Sequence, residues 1–138
     1  MDYGFWMMCN GKSPISYDRA TYILKLLEDR GHRGYFTQRD SKDKDSLTEI
    51  SEAVDKCQYI LIVFDEDFKK DNFSMTTLEK VFKKLIYTRR LHRIIPLVIG
   101  IKRDKVVPSY VPNFCLEFCD NWKSDDRQFT RLENTLRS

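Results

Sequence analysis

Polar and apolar positions divide this chain into short unbroken apolar runs and longer stretches where apolar residues recur every three or four positions. The clearest run is Tyr59-Ile60-Leu61-Ile62-Val63-Phe64, with no polar side chain in it. It is far shorter than the ~20 residues a membrane span needs. It reads instead as a central strand covered on both faces, as in a parallel sheet. Tyr3 to Cys9 and Ile94 to Ile99 read the same way, although Pro96 cannot donate a ladder hydrogen bond and marks a bulge or a strand start. Gly34 to Thr37 reads as an edge strand and Phe114 to Phe118 as a last short one.

Between these runs the period lengthens to that of a helix. From Ser16 onward, Ala20, Ile23, Leu24 and Leu27 define one apolar face, and Gly31 stands where a C-terminal cap belongs. Leu47, Ile50, Val54 and Cys57 define a second face, opened by the capping-box spacing of Ser46 and Glu49. Met75, Leu78, Phe82, Leu85 and Ile86 define a third, and Glu79 falls on that same side. Phe129, Leu132 and Leu136 give the inward face of a last helix over Asp126 to Leu136. The connections are Asn10 to Pro14, Asp65 to Phe73, and an irregular stretch from Gly100 to Pro112 with Pro108 and Pro112 as breakers.

Strands and helices that alternate in this way predict a parallel sheet with helices on both faces. Right-handed crossovers leave few topologies. The expected fold is α/β, flavodoxin-like and three-layered, with a five-stranded parallel sheet in the order 2-1-3-4-5. Its switch-point crevice lies between strands 1 and 3, at their carboxyl ends. Glu79 should then stand near the rim of that crevice.

Composition narrows the reading without redirecting it. The chain has 138 residues, the size of one ordinary domain. Its net charge of +3 is too weak an excess to imply nucleic acid, although Lys83, Lys84, Arg89, Arg90 and Arg93 form a basic stretch that offers a face to an acidic partner. Cys9, Cys57, Cys115 and Cys119 include no CxxC pair, and there is no His cluster, so no metal site is expected. Scattered thiols of this kind point to a reducing, cytoplasmic compartment. Arg39-Asp40-Ser41-Lys42-Asp43-Lys44-Asp45 carries no apolar residue to bury and reads as a solvated loop. No G-x-G-x-x-G or P-loop is present, and Cys9 and Asn10 stand where a response regulator would carry acidic residues.

Placed in order, these segments resemble a Toll/interleukin-1 receptor (TIR) domain. Arg39-Asp40 after the second strand is similar to that family's Arg-Asp motif. Ile60 to Phe64 with Phe68 in the following loop resembles its central strand. Phe73-Ser74-Met75-Thr76-Thr77-Leu78-Glu79 resembles its Ser-x-Trp-Cys-x-x-Glu-Leu region, and Ile94-Ile95-Pro96, Trp122 and Phe129 its later motifs. The resemblance runs from Tyr3 to Leu136. It departs at Lys42 to Asp45, where Pro-Gly is usual, at Met75 and Thr76 in place of Trp and Cys, and at Thr130 in place of Trp.

The resemblance implies two functions. The first is innate-immune-type signalling through TIR–TIR association, with copies of itself or with an adaptor. Arg39, Asp40, Ser41, Lys42, Asp43, Lys44 and Asp45 would form the interaction loop. It implies a homo-oligomer when active, no nucleic acid and no membrane contact by this domain, which is expected to be one unit of a larger signalling protein. The alternative is an NAD+ nucleosidase activated by assembly, with Glu79 stabilising an oxocarbenium-like transition state. Trp6, Asn10, Tyr35 and Ser74 would then contact NAD+, with Tyr17 a further stacking candidate. NAD+ would be substrate, and no cofactor is implied. The plainer reading of Glu79 is a capping box with Thr76 or an exposed pair with Lys83.

Overall fold

The computed structural model describes residues 2–41, 46–111 and 114–138. The strands are β1 (Tyr3–Met8), β2 (Gly34–Phe36), β3 (Cys57–Phe64), β4 (Ile94–Ile99) and β5 (Leu116–Phe118). They form one parallel sheet in the order β2-β1-β3-β4-β5, as the alternation of runs and periodic stretches requires. The longer helices are α1 (Pro14–Asp29), α3 (Ser46–Lys56), α4 (Asn72–Tyr87) and α6 (Asp126–Leu136); α2 (Thr37–Asp40) and α5 (Arg103–Val106) are single turns.

The strict period of two explains why the central strands are apolar without a break over residues 5–8 and 60–64 and over Ile94–Ile99. Trp6, Met8, Ile60, Ile62, Phe64 and Val98 face α3 and α4, while Phe5, Met7, Leu61, Val63, Leu97 and Ile99 face α1 and α6. Each strand therefore needs apolar side chains at both parities. Among the described residues no helix is long and apolar enough to cross a membrane.

Several expected boundaries and faces move. Helix α1 begins at Pro14, not at Ser16, because the buried Ser13 caps it through its hydroxyl and Pro14 occupies the first turn. The expected apolar face of α1 is buried as read, and Gly31 ends it at φ +91°. Cys57 closes no helix face; it is the first residue of β3. Pro96 forms no bulge and lies inside β4 opposite Ile62. Strand β5 runs beside only Leu97–Ile99, so at Pro96 no strand on that side awaits a donor.

Two helices are rotated from the expected phase. Leu47 is 64% exposed; Ile50 and Val54 are buried as read, and α3 buries Glu49 and Ala53 beside them. In α4 the buried line is Ser74, Leu78, Val81 and Leu85, which leaves Glu79 and Ile86 exposed and Met75 and Phe82 half-buried at its flank. The N-cap of α4 is Asp71, so Thr76 lies inside the helix and caps nothing with Glu79. The Ser46 side chain, on which the capping box of α3 rests, lies outside what is described, as does Pro112.

Helix α4 ends as α1 does, but without glycine. Arg89 sits at φ 58°. The Arg89 N–H reaches the Ile86 carbonyl at 3.0 Å and the Arg90 N–H reaches Leu85 at 2.7 Å, the same double bond that Gly31 and His32 make on α1. A left-handed L-residue costs about 1–2 kcal/mol, part of which the looser unfolded chain of a glycine variant gives back. Arg89→Gly is accordingly expected to stabilise the fold by about 0.5–1 kcal/mol in urea denaturation. A loss of stability would show that the exposed Arg89 side chain contributes more than its backbone strain costs.

Candidate functional site

The order β2-β1-β3-β4-β5 reverses direction between β1 and β3, so the loops leaving those two strands meet. Asn10 holds them together. Its side-chain amide donates to the Asp67 carbonyl at 3.4 Å, and its carbonyl oxygen accepts the Lys12 N–H at 3.1 Å. The residue is buried and its polar atoms serve the two loops, so it is a brace of the crevice and offers no free amide to a ligand. On the opposite loop, Asp65 accepts the N–H groups of Asp67 and Phe68, which turns Phe68 inward against Phe64 at 4.8 Å between ring centroids.

Beside this junction lies a cavity of about 70 Å³. Trp6, Cys9, Thr37, Gln38, Glu49, Ile50, Phe68, Phe73, Ser74 and Thr77 are among its lining residues. Trp6 and Ser74 are the two sequence-predicted residues that meet there. Neither is free as expected. Trp6 is 1% exposed, and its indole N–H donates to the Thr37 hydroxyl at 3.2 Å, so its ring belongs to the core and has no open face for stacking. Ser74 donates its hydroxyl to Asp71 at 2.6 Å and its N–H to the same oxygen at 3.0 Å. Those bonds from Ser74 lead in holding the Asp71 carboxyl below its ordinary range, and Lys12 at 3.5 Å adds to them. The Cys9 thiol is pushed up to about 12 by burial and by Asp65, which makes it a neutral, unreactive wall.

Tyr35, Tyr17 and Glu79 lie elsewhere. Tyr35 packs edge-on between Tyr3 and Trp6 and faces a different cavity. Tyr17 packs against Phe36 at 5.8 Å. Glu79 is exposed on the α4 flank, and among the described residues no hydrogen bond or ion pair engages it. Its charge is felt at Tyr110, whose hydroxyl is raised first by burial and then by Glu79. Tyr110 itself packs on Phe82 at 4.8 Å, which puts Glu79 on the side of α4 away from the 70 Å³ cavity. The carboxylate that does line the cavity is Glu49, which accepts the Ser41 hydroxyl. Sequence reading assigned Glu49 to a helix cap; the signal that it is buried was its position next to Ile50 on the inward stripe.

The charged loop has an ordered base. Arg39 makes a two-pronged pair with Glu28 at 2.7 and 3.0 Å, pairs with Asp40 at 2.8 Å, and donates to the Gly34 carbonyl at 3.1 Å. Asp40 accepts the Phe36 N–H at 2.9 Å. Burial pushes the Asp40 carboxyl up, but the bonds from Arg39 and from Phe36 outweigh it and hold it below its ordinary value. Arg39 and Asp40 therefore belong to the helical turn α2 and not to a freely solvated loop. Lys42, Asp43, Lys44 and Asp45 lie outside the described residues. Past that segment, the first turns of α3 and α4 present Leu47 and Phe73, 64% and 65% exposed, and Phe73 lines the same cavity.

A family model described as TIR domain matches residues 15–133. No curated protein matches the chain. Among solved structures, it is similar to a metazoan TIR-STING receptor from C. gigas, at 18% identity and a TM-score of 0.73, over 93% of this chain and 38% of that one. It is similar over 99% of both chains to the TIR domain of the Toll-related receptor TRR-2 from Hydra magnipapillata, at 19% identity and a TM-score of 0.67. The TIR domains of the activated Roq1 resistosome match at 12% identity and a TM-score of 0.62, over 74% of this chain and 60% of that one. The chain thus spans well under two thirds of the TIR-STING receptor's length.

Proposed function

Since the chain belongs to the TIR domain family, matched over residues 15–133, we propose that it is an immune-type signalling module that works by associating with other TIR domains, its own copies first. The observation that carries this reading is the pair of exposed apolar side chains, Leu47 and Phe73, in the first turns of the packed helices α3 and α4, Leu47 following the charged 41–45 segment in sequence. Burying a side chain of that size contributes about 1.5–3 kcal/mol. Alternating charges next to it favour steering and register. Arg39 and Asp40 then act as the anchor of the interaction segment. The Roq1 TIR domains, solved within an activated resistosome, are a precedent for function through assembly.

NAD+ hydrolysis is the weaker reading. It has in its favour an exposed Glu79 on α4 that no hydrogen bond or ion pair engages among the described residues. Against it, a cavity of about 70 Å³ is well short of the ~300–1,000 Å³ typical of small-molecule sites, and Glu79 does not line it.

Sedimentation across a concentration series tests the proposal. Wild type is expected to self-associate, and Phe73→Asp or Leu47→Asp to move the midpoint at least ~tenfold higher, about 1.4 kcal/mol. Identical curves for wild type and both variants would remove the interface. Nicotinamide released from NAD+ by assembled wild type, and lost in Glu79→Ala, would put the hydrolase in its place.

A further inference from the structure

A second cavity, of about 190 Å³, opens on the α3 side of the edge strand β2. Among the described residues helix α3 packs mainly on β3 and β1, and the cavity lies toward the β2 margin of that sheet face. Tyr3, Tyr35, Asp40, Glu49, Glu52, Ala53, Lys56 and Cys57 line it. The two tyrosine rings stand 5.5 Å apart between centroids with 63° between their planes, and Trp6 backs Tyr35 at 6.5 Å. Of the three carboxylates Asp40 is paired with Arg39, so Glu49 and Glu52 against Lys56 leave the lining a single excess negative charge.

That combination selects its ligand by elimination. An anion would meet three carboxylates. A hard metal cation needs several free oxygen ligands, but Asp40 is taken by Arg39 and the Phe36 N–H, and Glu49 by the Ser41 hydroxyl. The Ser41 hydroxyl is neutral, so the Glu49 charge still acts across the cavity as a field. Angled aromatic walls in a negative field suit a cation whose charge is spread over alkyl groups and which asks for no oxygen ligands. The Tyr3 ring already holds one cation, the Arg33 guanidinium, 4.8 Å from its centroid. We propose that this cavity is a cation–π cage for a small alkylammonium group, with Tyr3 and Tyr35 as its walls and Glu49 and Glu52 as the source of its field. The field is registered at Tyr35, whose hydroxyl is raised to about 12 by burial and then by Glu49 and Asp40, so the ring stays neutral. At 190 Å³ the space suits a single headgroup and not a drug-sized molecule. Lys56 is the one lining group that opposes such a ligand.

An amide NMR titration with tetramethylammonium chloride, against sodium chloride at equal ionic strength, tests the cage. Saturable shifts are expected at residues 3, 35, 53 and 57. Tyr35→Leu should weaken binding ~tenfold, the loss of a partly desolvated cation–π contact. Glu52→Gln should weaken it and Lys56→Gln should tighten it, each by about threefold. If Tyr35→Leu does not give a dispersed spectrum, Tyr3→Leu carries the same expectation. The cage is overturned by shifts that do not saturate, by undiminished binding in a folded tyrosine variant, or by equal binding of choline's neutral carbon analogue. Choline and a trimethyllysine dipeptide then distinguish a free cation from a modified side chain as the source, and tighter binding of either supports the cage.

Discussion

Gly34→Ala is expected to remove about 1–3 kcal/mol of stability, the cost of forcing one extra carbon into a close-packed core. Gly34 opens β2 and lies beside Phe5 of β1. A Cβ placed there would stand 2.7 Å from Cε2 of the Phe5 ring, closer still to its Cζ, and 2.9 Å from Cδ1 of Leu24. None of these atoms has room to retreat. Phe5 is wholly buried between the sheet and α1, and Leu24 is held on the buried face of α1. The glycine is needed because a large ring from the neighbouring strand crosses over its α-carbon, not because of its backbone angles. Urea denaturation of wild type and Gly34→Ala measures the loss, and Gly4→Ala serves as the control. At Gly4 the nearest atom to a new Cβ is the Arg33 carbonyl oxygen at 3.5 Å, an ordinary contact. Equal stability of Gly34→Ala and wild type would mean that Phe5 repacks freely, which would contradict the close packing of that layer.

The strand order was legible because it rests on long, unambiguous runs. Tyr59 to Phe64 and Ile94 to Ile99 admit few roles other than central parallel strands. The helix phases were less legible because half-buried residues compete with buried ones. Met75, Phe82 and Ile86 drew the reading of α4 toward their flank, whereas the small Ser74 and Val81 are what the sheet side covers. That rotation moved Glu79 from an apolar stripe to an exposed flank. Glu49 was masked by a motif that already explained it. Asn10 looked available because its partner, the Asp67 carbonyl, is 57 residues away and only the fold brings it near. The site is thus less readable than the fold, since a side chain's availability depends on partners that local periodicity does not encode.

Arg39 shows the same dependence at its strongest, and it yields the second large effect. Read from sequence, Arg39 belongs to a solvated interaction loop, where reversing its charge should weaken association. Its observed partners place the larger effect on the fold. Arg39→Glu removes the fork to Glu28, the pair with Asp40 and the bond to the Gly34 carbonyl, and it places a third carboxylate beside those of Glu28 and Asp40. Arg39 is 45% exposed, so solvent screens part of this. The expected loss is about 1–2 kcal/mol at neutral pH. The pH dependence follows from Asp40. Its folded carboxyl lies below the unfolded value near 3.9, so the stability it contributes is fully present above that value and is lost as pH falls through the lower, folded one. Without Arg39 the bond that does most to depress it is gone, so wild type and variant should differ most near pH 7 and converge at an acid pH where the carboxyl is protonated in both. Urea denaturation at both pH values checks this, and a constant difference would exclude the carboxylate as its source. Sedimentation at concentrations where both proteins are folded completes the separation of roles. An anchor residue changes the midpoint of association by less than about threefold, whereas an interface residue moves it as far as Phe73→Asp does.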